Sequence, residues 1–356
     1  MSQGTLSFKH SVLRSMAWAV AMGLLLSMVP RAVFGAPAPT LSNVQAAIAW
    51  SKFTFANGAA PTVLLARDND FADTLTSGSV QGALKAPLLL TGSQKLSPET
   101  TTELKRLGAK RVIIIGGTQG VSQGVESELK ALQLTAERVG GATPVETAVA
   151  VAAKFFPNAS SAVIAPVSSQ IGSNEGFADS LAASTFAAQK DMPILLTETN
   201  KLSAPTEQYL KGVSPQGSKL MSFTIAGGDT AVSPAVADAL AALKPPGATG
   251  AVKVTRVFGP NRFATAVAFD KQLGYANAKA APRVILLQGQ GSTWANGLGA
   301  AAKAASGAAT VLVNGDAVPP ESAQFLNGGS KTPLVCGPGV SQGTCDSAGK
   351  MLGLIT

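Results

Sequence analysis

The sequence predicts an α/β protein built from three tandem copies of one parallel-sheet unit. Short apolar runs alternate with helix-like segments along the chain, which is typical of parallel sheets covered by helices. Apolar residues make up 46% of the 356 residues and charged residues only 13%, so the chain can bury a large core. Several motifs also recur in the same order, and such a repeat determines the architecture.

Three motifs carry the repeat: a Phe-Ala-Asp motif, an apolar run ending in threonine, and an apolar run followed by two glycines and a Val-Ser pair. They stand at 71–75, 87–91 and 113–122 in the first copy, at 177–181, 193–197 and 224–233 in the second, and, with substitutions, at 294–298, 309–313 and 334–341 in the third. Asp73 and Asp179 are 106 residues apart, and Asn296 follows Asp179 by 117 residues. Chance does not explain this order and spacing.

Each copy is predicted to fold as βαβαβα. Its apolar runs are uninterrupted, as expected of parallel strands buried on both faces. Ser97 before Pro98, and Ser122, have the residue types of helix N-caps. Right-handed crossovers then give a parallel sheet. In the first copy the predicted elements are strands at 63–66, 87–90 and 111–115 and helices at about 72–84, from Pro98 onward and from Ser122 to about Leu132.

A connector with the pattern Arg-x-x-Gly, followed six residues after the glycine by Thr-Ala, joins the copies. It begins at Arg138 and again at Arg256, and an apolar helical segment follows each time. Before the first copy only the helical segment, at 44–49, remains. The predicted organisation is repeat 1 at 41–137, repeat 2 at 138–250 and a degenerate repeat 3 at 251–356.

Residues 1–35 have the pattern of a secretory signal peptide. Lys9 and Arg14 precede an apolar stretch at 16–29, and small residues place a cleavage site before Ala36. The alternative is an uncleaved membrane anchor, but the stretch is shorter than the roughly 20 residues that span a bilayer. We expect a secreted, cell-surface protein with no membrane span after cleavage.

The composition argues against most hydrolytic chemistry. The single histidine, His10, lies in the predicted signal peptide, which leaves no catalytic triad histidine, histidine-bound zinc or histidine general base. We expect no catalytic residue, no metal and no cofactor, and therefore no enzyme. Cys336 and Cys345 form either a local disulfide or two buried thiols.

Cleavage would remove three cations and no acids, lowering the formal net charge from +8 to +5. A cationic exported protein is attracted to anionic surface polymers, although a charge of this size also serves ordinary solubility.

Taken together, the motifs resemble the cell wall binding repeat type 2 family of Gram-positive surface proteins, over about residues 41–356. The resemblance implies Rossmann- or Toprim-like units that pack with pseudo-threefold symmetry into one monomeric module. It also implies a non-catalytic function, non-covalent attachment to an anionic cell wall polysaccharide or teichoic-acid-like polymer, with no nucleic-acid partner. The alternatives are a wall-acting hydrolase of amidase type and a surface-layer structural or interaction protein.

Ligands of parallel sheets bind at the carboxyl ends of the strands, and glycine turns there expose N–H groups that suit an anion. Each candidate also has a structural interpretation. The glycines can simply permit a turn, the arginines can form interface ion pairs with Asp73 or Asp179, and these aspartates can cap helices. The candidate ligand-binding residues are Arg138, Arg256, Arg262, Asp73, Asp179, Thr91, Thr197, Gly116, Gly117, Gly227 and Gly228.

The copies differ at these positions. The second connector has Pro144 where the third has Arg262. The third copy has Asn296 for the aspartate and Val313 for the threonine, and Cys336 is interpreted as replacing one glycine. We therefore expect the third copy to have lost ligand contacts.

Overall fold

The structure is a computed structural model that describes residues 41–167, 178–212, 219–246 and 250–356. The predicted signal peptide and Phe177 of the second Phe-Ala-Asp motif lie outside the described residues. Within those ranges no helix is both long enough and apolar enough to cross a membrane.

The first unit is a four-stranded parallel sheet in the order β2-β1-β3-β4, with helices on both faces. Its elements are α1 (Asn43–Thr54), β1 (Thr62–Arg67), a 3₁₀ turn (Thr74–Thr76) that continues into α2 (Ser77–Leu84), β2 (Leu88–Thr91), α3 (Pro98–Leu107), β3 (Arg111–Ile115), α4 (Gln123–Ala131) and β4 (Thr135–Val139).

The second unit repeats this order as β6-β5-β7-β8, and the third has three strands in the order β10-β9-β11. The second contains α5 (Pro144–Phe155), β5 (Ser161–Pro166), α6 (Ala178–Lys190), β6 (Ile194–Thr197), α7 (Ala204–Leu210), β7 (Ser222–Ala226), α8 (Pro234–Ala241) and β8 (Lys253–Val257). The third contains α9 (Arg262–Gln272), 3₁₀ segments (Ala278–Ala280 and Gly291–Ala300), β9 (Val284–Gln288), α10 (Ala301–Ala304), β10 (Ala309–Val313), α11 (Pro320–Leu326), β11 (Leu334–Cys336) and α12 (Gln342–Met351).

The edge strands β4 and β8 were not predicted, because neither is an apolar run. In β4, Glu137 forms ion pairs with Arg111 of β3 and Lys154 of α5, so the strand is held partly by charge pairing. The boundary at 137/138 that the repeat pattern favours falls inside β4, which belongs to the first sheet.

The helix predicted at about 72–84 begins instead with the 3₁₀ turn. The hydroxyls of Thr76, Ser77 and Ser79 each donate to the carbonyl three residues earlier, at 2.6–3.0 Å. Such side-chain bonds compete with the regular helical pattern and favour the tighter turn.

The three units pack in a ring with pseudo-threefold symmetry. Each connector helix lies on the second strand of its own unit and on the central helical segment of the unit before it. Thus α5 contacts β6 and the 3₁₀ turn before α2, and α9 contacts β10 and α6. The ring closes where α1 contacts β2 and the third unit's segment Gly291–Ala300.

At the centre, α2, α6 and α10 contact one another, and one apolar cluster extends through all three units. Small residues permit the approach. A Cβ on Gly78 would lie 2.5 Å from Ser184 Oγ, and one on Gly82 would lie 2.6 Å from the carbonyl oxygen of Ala188. The core is therefore shared between the units, which stabilises their arrangement.

Candidate functional site

The junction between the first and second units contains a buried aspartate. Asp73 is 5% exposed, and Arg67 Nη2 lies 3.4 Å from its Oδ2. The hydroxyl of Thr147, on α5, approaches the carboxylate as a hydrogen-bond donor and accepts from Gly141 N at 3.2 Å. Burial raises the pKa of Asp73, and Thr147 and Arg67 oppose that rise.

The second junction repeats this arrangement with Asp179. The hydroxyl of Thr265, on α9, approaches its carboxylate as a hydrogen-bond donor and accepts from Gly259 N at 3.1 Å. Oδ1 of Asp179 is buried and has no hydrogen-bond partner among the described residues. Burial raises the pKa of Asp179, while Thr265 and the charge of Arg262 lower it. We call these two groups, Asp73–Thr147–Gly141 and Asp179–Thr265–Gly259, the first and second clasps.

Each clasp supports the glycine turn that follows the third strand of its sheet. Gly116 and Gly227 have φ values of 118° and 97°, which disfavour a side chain. A Cβ on either would also lie 3.0 Å from Oδ2 of Asp73 or Asp179, respectively. The inner side of each turn is therefore occupied by a carboxylate.

The second glycine of each turn lies nearer the surface. A Cβ on Gly117 would lie 2.3 Å from the carbonyl oxygen of Gly141, so the two backbones are in direct contact. At Gly228 a Cβ would lie 3.5 Å from Phe258 Cδ2, which is an ordinary contact.

Arg138 and Arg256 hold the outer side of the two turns. Arg138 Nη1 donates to the carbonyl oxygens of Gly116 and Gly117 at 3.0 and 3.2 Å, and Arg256 Nη1 donates to that of Gly227 at 3.0 Å. Their ion-pair partners are Glu126 and Asp229, each at 3.2 Å. The expected pairing of these two arginines with Asp73 or Asp179 is therefore wrong.

Arg262, by contrast, does lie beside Asp179, and its Nη1 donates to the carbonyl oxygen of Gly289 at 2.7 Å. It thus joins the second unit to the third. Pro144 takes the equivalent place in α5, and the first clasp obtains its cation from Arg67 of β1 instead. An arginine therefore accompanies each clasp, but Arg67 comes from β1 and Arg262 from α9.

The third junction has lost the clasp. Asn296 replaces the aspartate, and Ala46 of α1 occupies the helical position of Thr147 and Thr265. Oδ1 of Asn296 has no hydrogen-bond partner among the described residues. Without the threonine hydroxyl of the other junctions, a neutral amide costs less to bury than a carboxylate would.

The interpretation that Cys336 replaces a turn glycine is wrong, because Cys336 ends β11 and pairs with Leu286. The equivalent glycine is Gly339, with φ 87°, whose Cβ would lie 3.0 Å from Asn296 Nδ2. Cys336 forms a disulfide with Cys345 of α12, which ties the ends of this turn together.

Thr91 and Thr197 are fully buried and act within their loops. Thr91 Oγ1 donates to Lys95 O at 3.2 Å and accepts from Ser97 N at 2.9 Å. Thr197 makes the same pair of bonds, with Lys201 and Ser203, at 3.0 and 3.1 Å. These threonines fix the loops that carry the two lysines.

Ser97 is the N-cap residue of α3, but its hydroxyl accepts from Gly92 N at 3.2 Å rather than from the helix. Ser122 caps α4 as predicted, accepting from Val125 N. Across the described ranges, no three His, Cys, Asp or Glu side chains are grouped in a way that could hold a metal ion.

Comparison with known proteins gives the family. A model described as cell wall binding domain 2 (CWB2) matches residues 42–126 and 138–237, just over half of the chain. Among curated proteins, N-acetylmuramoyl-L-alanine amidase LytC of Bacillus subtilis is 30% identical over 223 residues, which cover 62% of this chain and 39% of LytC. An uncharacterized protein of Pyrococcus horikoshii is 35% identical over 162 residues, 45% of this chain and 46% of that protein.

Two solved structures share the fold. Cwp8 from Clostridium difficile has a TM-score of 0.73 and 26% identity, covering 88% of this chain and 51% of Cwp8. Cwp6 from the same organism has a TM-score of 0.72 and 21% identity, covering 89% of this chain and 47% of Cwp6. The chain spans less than half the length of the curated relatives named above. With its matched repeats and its three-unit fold, the chain belongs to the cell wall binding domain 2 family.

Proposed function

We propose that this chain is a non-catalytic module that attaches to the cell wall by binding an anionic wall polymer. The observation that carries the proposal is the family match over two repeats, together with the repeated presentation of cations described next. We further propose that residues 1–35 are a secretory signal, that the protein acts outside the cell as a monomer, and that the repeats bind unequally.

Lys95 and Lys201 are exposed side chains in equivalent loops at the carboxyl ends of the first two sheets. Thr91 and Thr197 hold the backbone carbonyls of these lysines, so the loops are fixed before a ligand arrives. Fixed loops lose less conformational entropy on binding. Two exposed cations in equivalent loops suit a polymer with repeating phosphate or carboxylate groups.

The surroundings of the two buried acids fit a structural role better than a catalytic one. Burial raises the pKa of Asp73 and Asp179, as in many catalytic acids, but both carboxylates lie behind glycine turns. Each is already in contact with a threonine and an arginine from the same junction. Their arrangement supports a role in holding the units together.

The proposal is tested by sedimenting the full purified chain with isolated Gram-positive cell walls. We expect binding to intact walls, weaker binding in high salt, and none to walls from which acid-labile anionic polymer has been removed. Equal binding to stripped walls would contradict the proposal, and release of soluble muropeptides would favour the hydrolase alternative.

The contribution of the lysines is tested by replacing Lys95 and Lys201 together with alanine. The control is the pair Lys105→Ala and Lys350→Ala, which removes the same charge from exposed helical positions. We expect the first pair to weaken binding by about tenfold and the control pair by less than about twofold. Equal losses would show that only the net charge matters.

A further inference from the structure

We infer that Phe258 is a platform on which a sugar ring of the wall polymer stacks, at the junction of the second and third units. This inference rests on the proposed function and gives one of its contacts. Phe258 is 54% exposed, the highest exposure among the large apolar side chains whose burial the structure describes. The other two with high exposure, Leu132 and Leu354, are aliphatic.

The position of Phe258 suits contact with a ligand. It directly follows β8, at the carboxyl end of the sheet, where ligands of parallel sheets bind. Gly228 lies beside the ring, because a Cβ there would be 3.5 Å from Cδ2. Since glycine has no side chain, this residue does not cover the ring. The ring therefore rests on a glycine turn that Arg256 and the second clasp hold in place.

Polar residues that adjoin Gly228 or Phe258 in sequence match the hydroxyls of a sugar. Asp229, next to Gly228, is 67% exposed and is neutralised by Arg256 at 3.2 Å. Asn261, three residues after Phe258, is exposed and donates to Glu321 Oε1 at 2.7 Å. An aromatic face accompanied by planar hydrogen-bonding groups suits a pyranose, which has an apolar C–H face and polar edges.

The first junction provides an internal comparison. Gly116 N donates to Val139 O, and Gly227 N donates to Val257 O, both at 3.0 Å. The residue after each valine is Gly140 in the first junction and Phe258 in the second. A Cβ on Gly140 would lie 2.4 Å from the carbonyl carbon of Gly116. The first junction thus has no room for an aromatic platform, so the two junctions present different surfaces.

The test is wall binding by the full chain carrying Phe258→Ala, Phe258→Leu or Phe258→Tyr. We expect the alanine and leucine variants to bind about tenfold more weakly, because both lack an aromatic face, and the tyrosine variant to bind within about twofold of the original. Leu132→Ala, which removes an exposed apolar side chain elsewhere, is the control and should bind normally. The thermal midpoints of the Phe258 variants should match that of the original chain, since the side chain is mostly exposed.

Three outcomes distinguish failure of this inference from failure of the proposed function. If the original chain binds walls and Phe258→Ala binds equally well, the platform is overturned and the proposed function stands. If Phe258→Leu binds like the original chain, the contact is not aromatic stacking and the inference is also overturned. If the original chain does not bind walls, both fail.

Discussion

The hydroxyl of Thr265, on the connector helix of the third unit, approaches the buried carboxylate of Asp179 in the second unit as a hydrogen-bond donor. Its hydroxyl also accepts from Gly259 N at 3.1 Å, so one side chain fixes both the glycine of the connector and the acid of the preceding unit. This contact and its counterpart between Thr147 and Asp73 link adjacent units through groups that the sheets themselves do not use.

Replacing Thr265 with valine should lower the free energy of unfolding by about 1–3 kcal/mol, because the buried carboxylate loses a donor while the volume stays the same. The measurement is chemical denaturation. Thr102→Val, at an exposed helical position, is the control and should change stability by less than about 0.5 kcal/mol. An unchanged Thr265→Val variant would show that the second clasp is not stabilising.

The lost third clasp should be recoverable in part. Asn296→Asp alone should destabilise the fold by about 3 kcal/mol, because it buries a carboxylate without the threonine hydroxyl that the other junctions provide. Adding Ala46→Thr should recover part of that loss by supplying the hydroxyl that the other junctions have. A double-mutant cycle measures the coupling, and strictly additive effects would show that positions 46 and 296 do not interact.

Asp270 of α9 should make stability depend on pH. It is 1% exposed; Thr310 N donates to its Oδ1 at 2.8 Å, and Oδ2 has no partner among the described residues. Burial raises its pKa well above the ordinary value of 3.8, against the smaller opposing effect of the Thr310 bond.

Between the ordinary and the raised pKa, the folded chain binds more protons at Asp270 than the unfolded chain does. The free energy of unfolding should therefore fall as the pH rises through this window. Asp270→Asn should remove that slope and raise stability at pH 7 by on the order of 1–3 kcal/mol, since the amide oxygen can still accept from Thr310. Denaturation across the pH range checks this, with exposed Asp316→Asn as the control; equal slopes in all three proteins would contradict it.

Reduction of the disulfide should destabilise the third unit. Cys336 and Cys345 are nine residues apart, and closing a loop of this length contributes about 2–3 kcal/mol. We expect a reductant to lower the thermal midpoint of the original chain but not that of a Cys336→Ala, Cys345→Ala double variant. If the reductant lowers both midpoints equally, the loss does not come from this bond.

Two glycines should respond oppositely to alanine. Gly117→Ala should destabilise, because its Cβ would lie 2.3 Å from the carbonyl oxygen of Gly141, and relieving such a contact costs about 1–3 kcal/mol. Gly343, inside α12, has nothing within 4 Å of a Cβ, so alanine there should stabilise by about 0.5–1 kcal/mol. Denaturation midpoints of the two variants test the close approach of the Gly117 turn to the connector at Gly141.

The repeat and most of its strands were predictable because apolar runs and glycine turns are local signals. The edge strands were not, because β4 has the polar sequence of a half-exposed strand and is held by ion pairs of Glu137. The clasps were not predicted either, since Thr147 and Asp73 are far apart in the chain. One signal was present: the third junction lacks both groups, with Asn296 in place of the aspartate and Ala46 in place of the threonine.

The cyclic packing also constrains the order in which the protein can be completed. Trp50 of α1 donates from its indole Nε1 to the carbonyl oxygen of Asn296, 246 residues later, at 2.8 Å. Until the last unit has been synthesised, the indole of Trp50 lacks this acceptor, and an apolar side of the nascent chain stays exposed to solvent. Folding is therefore completed only by a very long-range contact. Such contacts form slowly, and the incompletely folded chain is prone to aggregation until then.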